Sequence, residues 1–164
     1  MMRDFEAWLP PSSGNVELMA AGRLWDAVRV PSGIGLSALA RLGDDSGAVI
    51  EDTWGGLLYW LIRPGAAAAW ELPKPCVEIR GKTSYVAVPP VWSTETYHRL
   101  RWIVPLTRTC YLTDPKPLHT ALAAAIDALI GPQPGLLPCE RCLAARMFGG
   151  RHGPCPCNHE PPQP

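Results

Sequence analysis

The sequence is poor in lysine and phenylalanine, carries no net charge and contains no long apolar run. Three lysines stand against twelve arginines, only two residues are phenylalanine, and 15 basic side chains balance 15 acidic ones. A formal net charge of zero excludes a global field that would draw the chain to nucleic acid or to an anionic membrane. Any nucleic-acid contact must therefore rest on a local patch. Apolar runs such as Leu57 to Ile62 fall far short of the roughly 20 residues that a bilayer-spanning helix needs. The opening residues do not read as a signal peptide, because Asp4, Glu6 and Pro10-Pro11 interrupt any apolar stretch. The expectation is a soluble, cytoplasmic protein with no membrane partner. There is no Gly-x4-Gly-Lys phosphate loop and no Gly-x-Ser-x-Gly elbow, which removes the common P-loop and α/β-hydrolase chemistries.

Apolar material is plentiful: 47% of the 164 residues are hydrophobic and 18% are charged, enough for one core with a short appendage. The arginine bias, with 15 glycines and 19 prolines, is that of a GC-rich genome such as an actinobacterial one. Residues 1–15 read as an N-terminal loop segment, 16–131 as the folded domain, and 132–164 as a proline-rich linker and cysteine tail. Arg23 to Val30 is short and ends at Pro31, which favours a strand over a helix. Ser32 is placed to cap a helix that closes at Gly43. Ala48 to Trp54 and Gly56 to Arg63 flank a glycine pair and form a hairpin. Ala66 to Trp70 suits a single helical turn. Val77 to Gly81 and Ser84 to Val88 read as a second hairpin, and Leu100 to Val104 as a further strand. Asp114 caps a helix with Pro115 in its first position, and Leu118, Leu122, Ala125, Ile126 and Leu129 repeat at helical spacing up to Gly131. The pattern is α+β: a mainly antiparallel sheet of hairpins, covered on one face by a few flanking helices.

Four of the six cysteines fall in the last 26 residues, as Cys139-Glu-Arg-Cys142 and Cys155-Pro-Cys157-Asn-His159. A Cys-x2-Cys pair lets two thiolates approach one ion at about 2.3 Å, and a second pair completes a tetrahedron around Zn²⁺. Cys139, Cys142, Cys155 and Cys157 are the expected ligands, with His159 and His152 as alternates for the second pair. A set of thiolates and imidazoles without a carboxylate points to a closed, structural zinc site that forms a small knuckle-like tail. Cys76 and Cys110 stand apart and suit buried thiols.

Trp54-Gly-Gly-Leu-Leu-Tyr-Trp-Leu-Ile-Arg-Pro64 and Val77-Glu-Ile-Arg-Gly-Lys-Thr-Ser-Tyr-Val-Ala-Val-Pro-Pro90, followed by Trp102, carry a family likeness. Over residues 48–104 the chain resembles the N-terminal domain of bifunctional DNA primase/polymerases, which have the archaeo-eukaryotic primase fold. The resemblance implies a nucleic-acid setting and a carboxylate-held divalent metal. If activity survives, Glu51, Asp52 and Glu78 are the acids that would hold it, with Glu78 at the position of the family's third acid. The departures count against activity. The family's Asp-x-Asp is replaced by adjacent acids, Asp44-Asp45 and Glu51-Asp52, whose side chains leave a strand on opposite faces. The histidine that follows Pro-Pro-Ser in the family is replaced by Val91-Trp92-Ser93. The resemblance therefore implies a degenerate relative.

Arg99, Arg101, Arg108 and Lys116 oppose only Asp114, and Trp92, Tyr97 and Trp102 lie among them. Such interleaving suits bases stacked on rings with phosphates on cations, although tryptophans more often fill a core. Arg80, Arg99, Arg101 and Trp102 are the nucleic-acid-contact residues this reading selects. The functional expectation is a non-catalytic binding or regulatory protein whose partner is a single-stranded nucleic acid or another protein. The alternatives are a metal-dependent nucleotidyltransferase and a structural partner that docks through its zinc tail.

Overall fold

In the computed structural model the described residues are 8, 10–107 and 111–130, and they form an α+β fold with antiparallel strand pairing. The elements in chain order are β1 (Glu17–Ala20), β2 (Asp26–Pro31), α1 (Ser32–Leu42), β3 (Val49–Asp52), β4 (Leu57–Ile62), β5 (Glu78–Arg80), β6 (Tyr85–Val88), β7 (Leu100–Val104) and α2 (Pro115–Ile130). Among the described residues no helix is long and apolar enough to cross a membrane.

Strand alternation sorts the core into two layers. Five strands form one sheet in the order β5-β2-β4-β3-β7. β2 and β3 run parallel with β4 between them, and α1 makes the crossover, a split β-α-β arrangement. Val28, Val30, Val49, Leu58, Trp60 and Ile62 point to the face where α1 and α2 pack, meeting Ile34, Ala38, Leu118, Leu122 and Ala125. Ala27, Ile50, Leu61 and Trp102 point the other way, into a cluster with Trp8, Trp25, Val86 and Val88. The second face is roofed by a two-stranded ribbon of β1 and β6. The sheet is thus covered on both faces, where one covered face was expected. Trp8 supplies the reason: this residue of the presumed N-terminal loop is 7% exposed and sits 5.7 Å from the Trp25 ring and 6.4 Å from Trp102.

Local sequence explains most elements. Asp52 accepts from the backbone N–H groups of Trp54 (3.1 Å) and Gly55 (2.9 Å), shaping the β3–β4 turn. Gly56 takes a φ of +64° there, a conformation that side chains with a Cβ rarely adopt. Asp114 caps α2 by accepting from the Lys116 N–H at 2.9 Å. At α1 the cap differs from expectation. Pro31 takes the capping position and Ser32 is already helical, its N–H donating instead to the Gly56 carbonyl at 2.8 Å. Gly35 lets this helix press onto β4, since a Cβ there would lie 2.9 Å from Leu58 Cδ2.

The larger departure concerns β5 and β6. The turn between them forms, with the Ser84 N–H donating to the Gly81 carbonyl at 3.0 Å, but the strands do not pair with each other. β5 joins β2 in the main sheet, whereas β6 crosses to the ribbon beside β1. Thr83, a β-branched residue at a φ of +69°, marks the bend that separates them. A hairpin would have left the second face, with Trp25 and Trp102, open to water.

Candidate aromatic and basic binding surface

The residues selected from the sequence scatter across the sheet. Glu78 and Arg80 lie on β5 at one edge, and Arg101 and Trp102 lie on β7 at the other. The three acids of the nucleotidyl-transfer alternative are likewise apart. Glu51 and Asp52 leave β3 on opposite faces, and Glu78 sits three strands away, about 14 Å at the usual strand spacing. Each acid also has a partner. Glu51 receives Arg101 Nε at 2.6 Å, with both side chains less than one-fifth exposed. Asp52 is held by the turn it caps, with Arg99 Nε at 3.7 Å. Glu78 bridges Arg29 and Arg80, the latter at 2.9 Å. Burial alone would lower the Arg29 pKa, but hydrogen bonds to Glu78 and Tyr59 hold it above its ordinary value. Among the described residues no three His, Cys, Asp or Glu side chains gather to hold a metal ion. Cys139, Cys142, His152, Cys155, Cys157 and His159 lie outside the described residues, as do Arg108 and Cys110.

Trp102 does not face solvent. It is 1% exposed, and its indole N–H donates to the Pro89 carbonyl at 3.1 Å. Arg101 is turned toward Glu51 and also donates to the Thr94 carbonyl at 3.2 Å. Neither side chain is placed to meet a ligand in this conformation; both instead bond to the segment that precedes β7.

That segment is residues 89–99, folded back along β7. The Trp102 N–H donates to the Ser93 carbonyl at 2.7 Å, and the Ser93 hydroxyl donates to the Leu100 carbonyl at 2.8 Å. These bonds cover the outer edge of β7 and hold the loop in one shape. On it, Trp92 is 58% exposed and Tyr97 79%, and both rings contact His98 at centroid distances of 5.4 and 4.3 Å. The neighbouring β3–β4 turn contributes Trp54, also 79% exposed, with the Arg99 guanidinium 5.3 Å from its ring centre. The Thr53 N–H donates to the Arg99 carbonyl at 2.8 Å and ties the turn to the loop.

The result is one continuous surface of Trp54, Arg99, His98, Trp92 and Tyr97. Arg99 is 60% exposed and meets its carboxylate only at 3.7 Å, so most of its charge faces water. Arg99, Trp92 and Tyr97 were legible as an aromatic and basic stretch; Trp54 and His98 were not singled out for it. The available signal for Trp54 was its place beside Gly55-Gly56, since the tip of a hairpin rarely finds a core to enter. No protein-family model, curated protein or solved structure matches the chain.

Proposed function

We propose that this chain is a non-catalytic binding protein that holds single-stranded nucleic acid on the Trp54, Trp92, Tyr97, His98 and Arg99 surface. One observation carries the reading: three large aromatic side chains stand exposed around a largely unneutralised arginine, on turns pinned to the sheet. Water-exposed rings of this size are costly unless something covers them, and the bases of a single strand do so whatever their identity. Arg99 would meet the phosphate beside a stacked base. The resemblance of residues 48–104 to primase/polymerase domains agrees with a nucleic-acid setting. The engagement of Glu51, Asp52 and Glu78 with separate partners favours binding over nucleotidyl transfer. Cys139, Cys142, Cys155 and Cys157, with His159 or His152 as alternates, belong to this proposal as a structural Zn²⁺ site that stabilises or docks the tail.

The test is binding of fluorescent single-stranded DNA and RNA, measured by anisotropy across a salt series. Affinity that falls with salt and weakens in Trp54→Ala and Arg99→Ala is the expected outcome. Binding of neither nucleic acid at low salt would remove the proposal and leave the exposed rings to a protein partner, for which an aromatic and arginine surface is also suited. Primer extension with Mg²⁺ or Mn²⁺, abolished by Glu78→Ala, would restore the nucleotidyltransferase alternative. Metal analysis of the purified protein is expected to give one equivalent of zinc, lost in Cys139→Ser.

A further inference from the structure

A shallow cleft of about 470 Å³ opens beside the aromatic surface, between the chain entering β1 and the loop that precedes β7. Its lining includes Asn15, Val16, Trp92, His98, Arg99 and Leu100, so it shares Trp92, His98 and Arg99 with that surface. Trp54 and Tyr97 are outside it. A strand lying on the proposed surface would thus meet both open rings and a shallow recess.

We infer that this cleft takes one unstacked nucleobase of the strand and reads its edge, so that binding is selective for base identity at one nucleotide. The inference rests on the nucleic-acid reading above. Size is the first argument, since the volume falls within the range of small-ligand pockets, about 300–1,000 Å³. Chemistry is the second. Val16, Leu100 and the Trp92 ring offer apolar walls to the faces of a flat heterocycle. The Asn15 amide supplies donors and an acceptor for its edge, and the imidazole of His98 adds one of each when neutral. Rigidity is the third. Ser93 is 3% exposed and bonded to β7 through its hydroxyl and its carbonyl, so one wall of the cleft is fixed before a ligand arrives. Recognition of an edge by a preset wall is what separates reading a base from merely stacking on it.

Homo-oligomers of dA, dC and dT, about eight nucleotides long, test this by titration against the full-length protein. The wild type is expected to spread the three affinities over about tenfold or more. Asn15→Ala should collapse that spread while keeping the salt dependence, and Trp54→Ala should weaken all three oligomers alike. Val16→Glu, which puts a carboxylate at the mouth from a half-exposed position, is a second probe and should also remove the spread. Thermal melts confirm that both surface variants fold. Three affinities within twofold of each other, or a spread that survives both cleft variants, overturn the inference and leave the stacking surface standing. Failure of every oligomer to bind overturns the nucleic-acid reading itself.

Discussion

Trp92 and Trp102 are ten positions apart in one stretch of chain, yet one is exposed and the other buried. Trp102, in the middle of β7, points from the sheet into the cluster of Trp8 and Trp25 and is 1% exposed. Trp92, on the loop folded over the edge of that strand, is 58% exposed. Composition cannot tell these residues apart, because each is a tryptophan in the stretch that carries Arg99 and Arg101. Strand parity and loop geometry can. Arg101 and Trp102 are adjacent on β7 and leave it on opposite faces, so the strand sends Arg101 to Glu51 and Trp102 inward. The interior set holds the loop in place, and the exterior set is what the loop presents.

Truncating the interior should break the molecule. Trp102→Ala is expected to cost about 3–5 kcal/mol in urea unfolding, from lost burial and the cavity left behind. A loss below about 1 kcal/mol would mean that the tryptophan cluster is not a core. Removing the arginine beside it should cost less. Arg101→Ala strands a mostly buried Glu51 carboxylate, at about 2–3 kcal/mol, while Glu51→Gln with Arg101 intact should be milder. The exterior set should behave in reverse. Trp54→Ala and Trp92→Ala are expected to leave stability within about 0.5 kcal/mol, and each should weaken oligonucleotide binding by about 1–3 kcal/mol. If both lower the melting temperature strongly while binding persists, the outward surface is structural and the contrast with Trp102 disappears. Arg99→Ala should reduce the slope of log affinity against log salt by about one unit, the signature of a single phosphate contact.

The smallest effect concerns pH. Burial pushes the Cys76 thiol above its ordinary value, as it does the Tyr111 hydroxyl. A group whose folded pKa is raised keeps its full contribution below the unfolded value and loses it as pH climbs toward the folded one. Stability should therefore decline gently above about pH 9, and Cys76→Ala should flatten the first part of that decline. An unchanged pH profile in the variant would assign the loss to other groups.

The sequence was a good guide where a pattern is local. The end of β2 at Pro31, the glycine turn between β3 and β4, the strand at Leu100–Val104 and the Asp114-capped α2 are each set by a few neighbouring residues. It was a poor guide where the decision is made at a distance. Glu17–Ala20 has little intrinsic strand preference and is a strand because Tyr85–Val88 lies beside it. Val77 to Val88 looks like a hairpin locally, but the apolar second face recruits β6 to the ribbon. For the same reason Trp102 read as a ligand contact, since its inward direction depends on a register with β3 that only the assembled sheet defines. Trp92, Tyr97 and Arg99 needed no such information, because they precede the strand and their exposure does not depend on its register.

The β1–β6 pairing has a consequence for the order of assembly. Its register joins Glu17 to Val88 and Ala20 to Tyr85, closing a chain segment of more than sixty residues, whereas the β3–β4 hairpin closes across a turn of four. Hairpins form in microseconds, and contacts distant in sequence form later because more chain entropy must be lost first. Trp54 at the hairpin tip is therefore in place early. The cleft, which needs Asn15 and Val16 from just before β1 and Ala87 from β6, is completed only when the ribbon docks. The recess therefore depends on a pairing distant in sequence, whereas the Trp54 tip depends on a local turn alone.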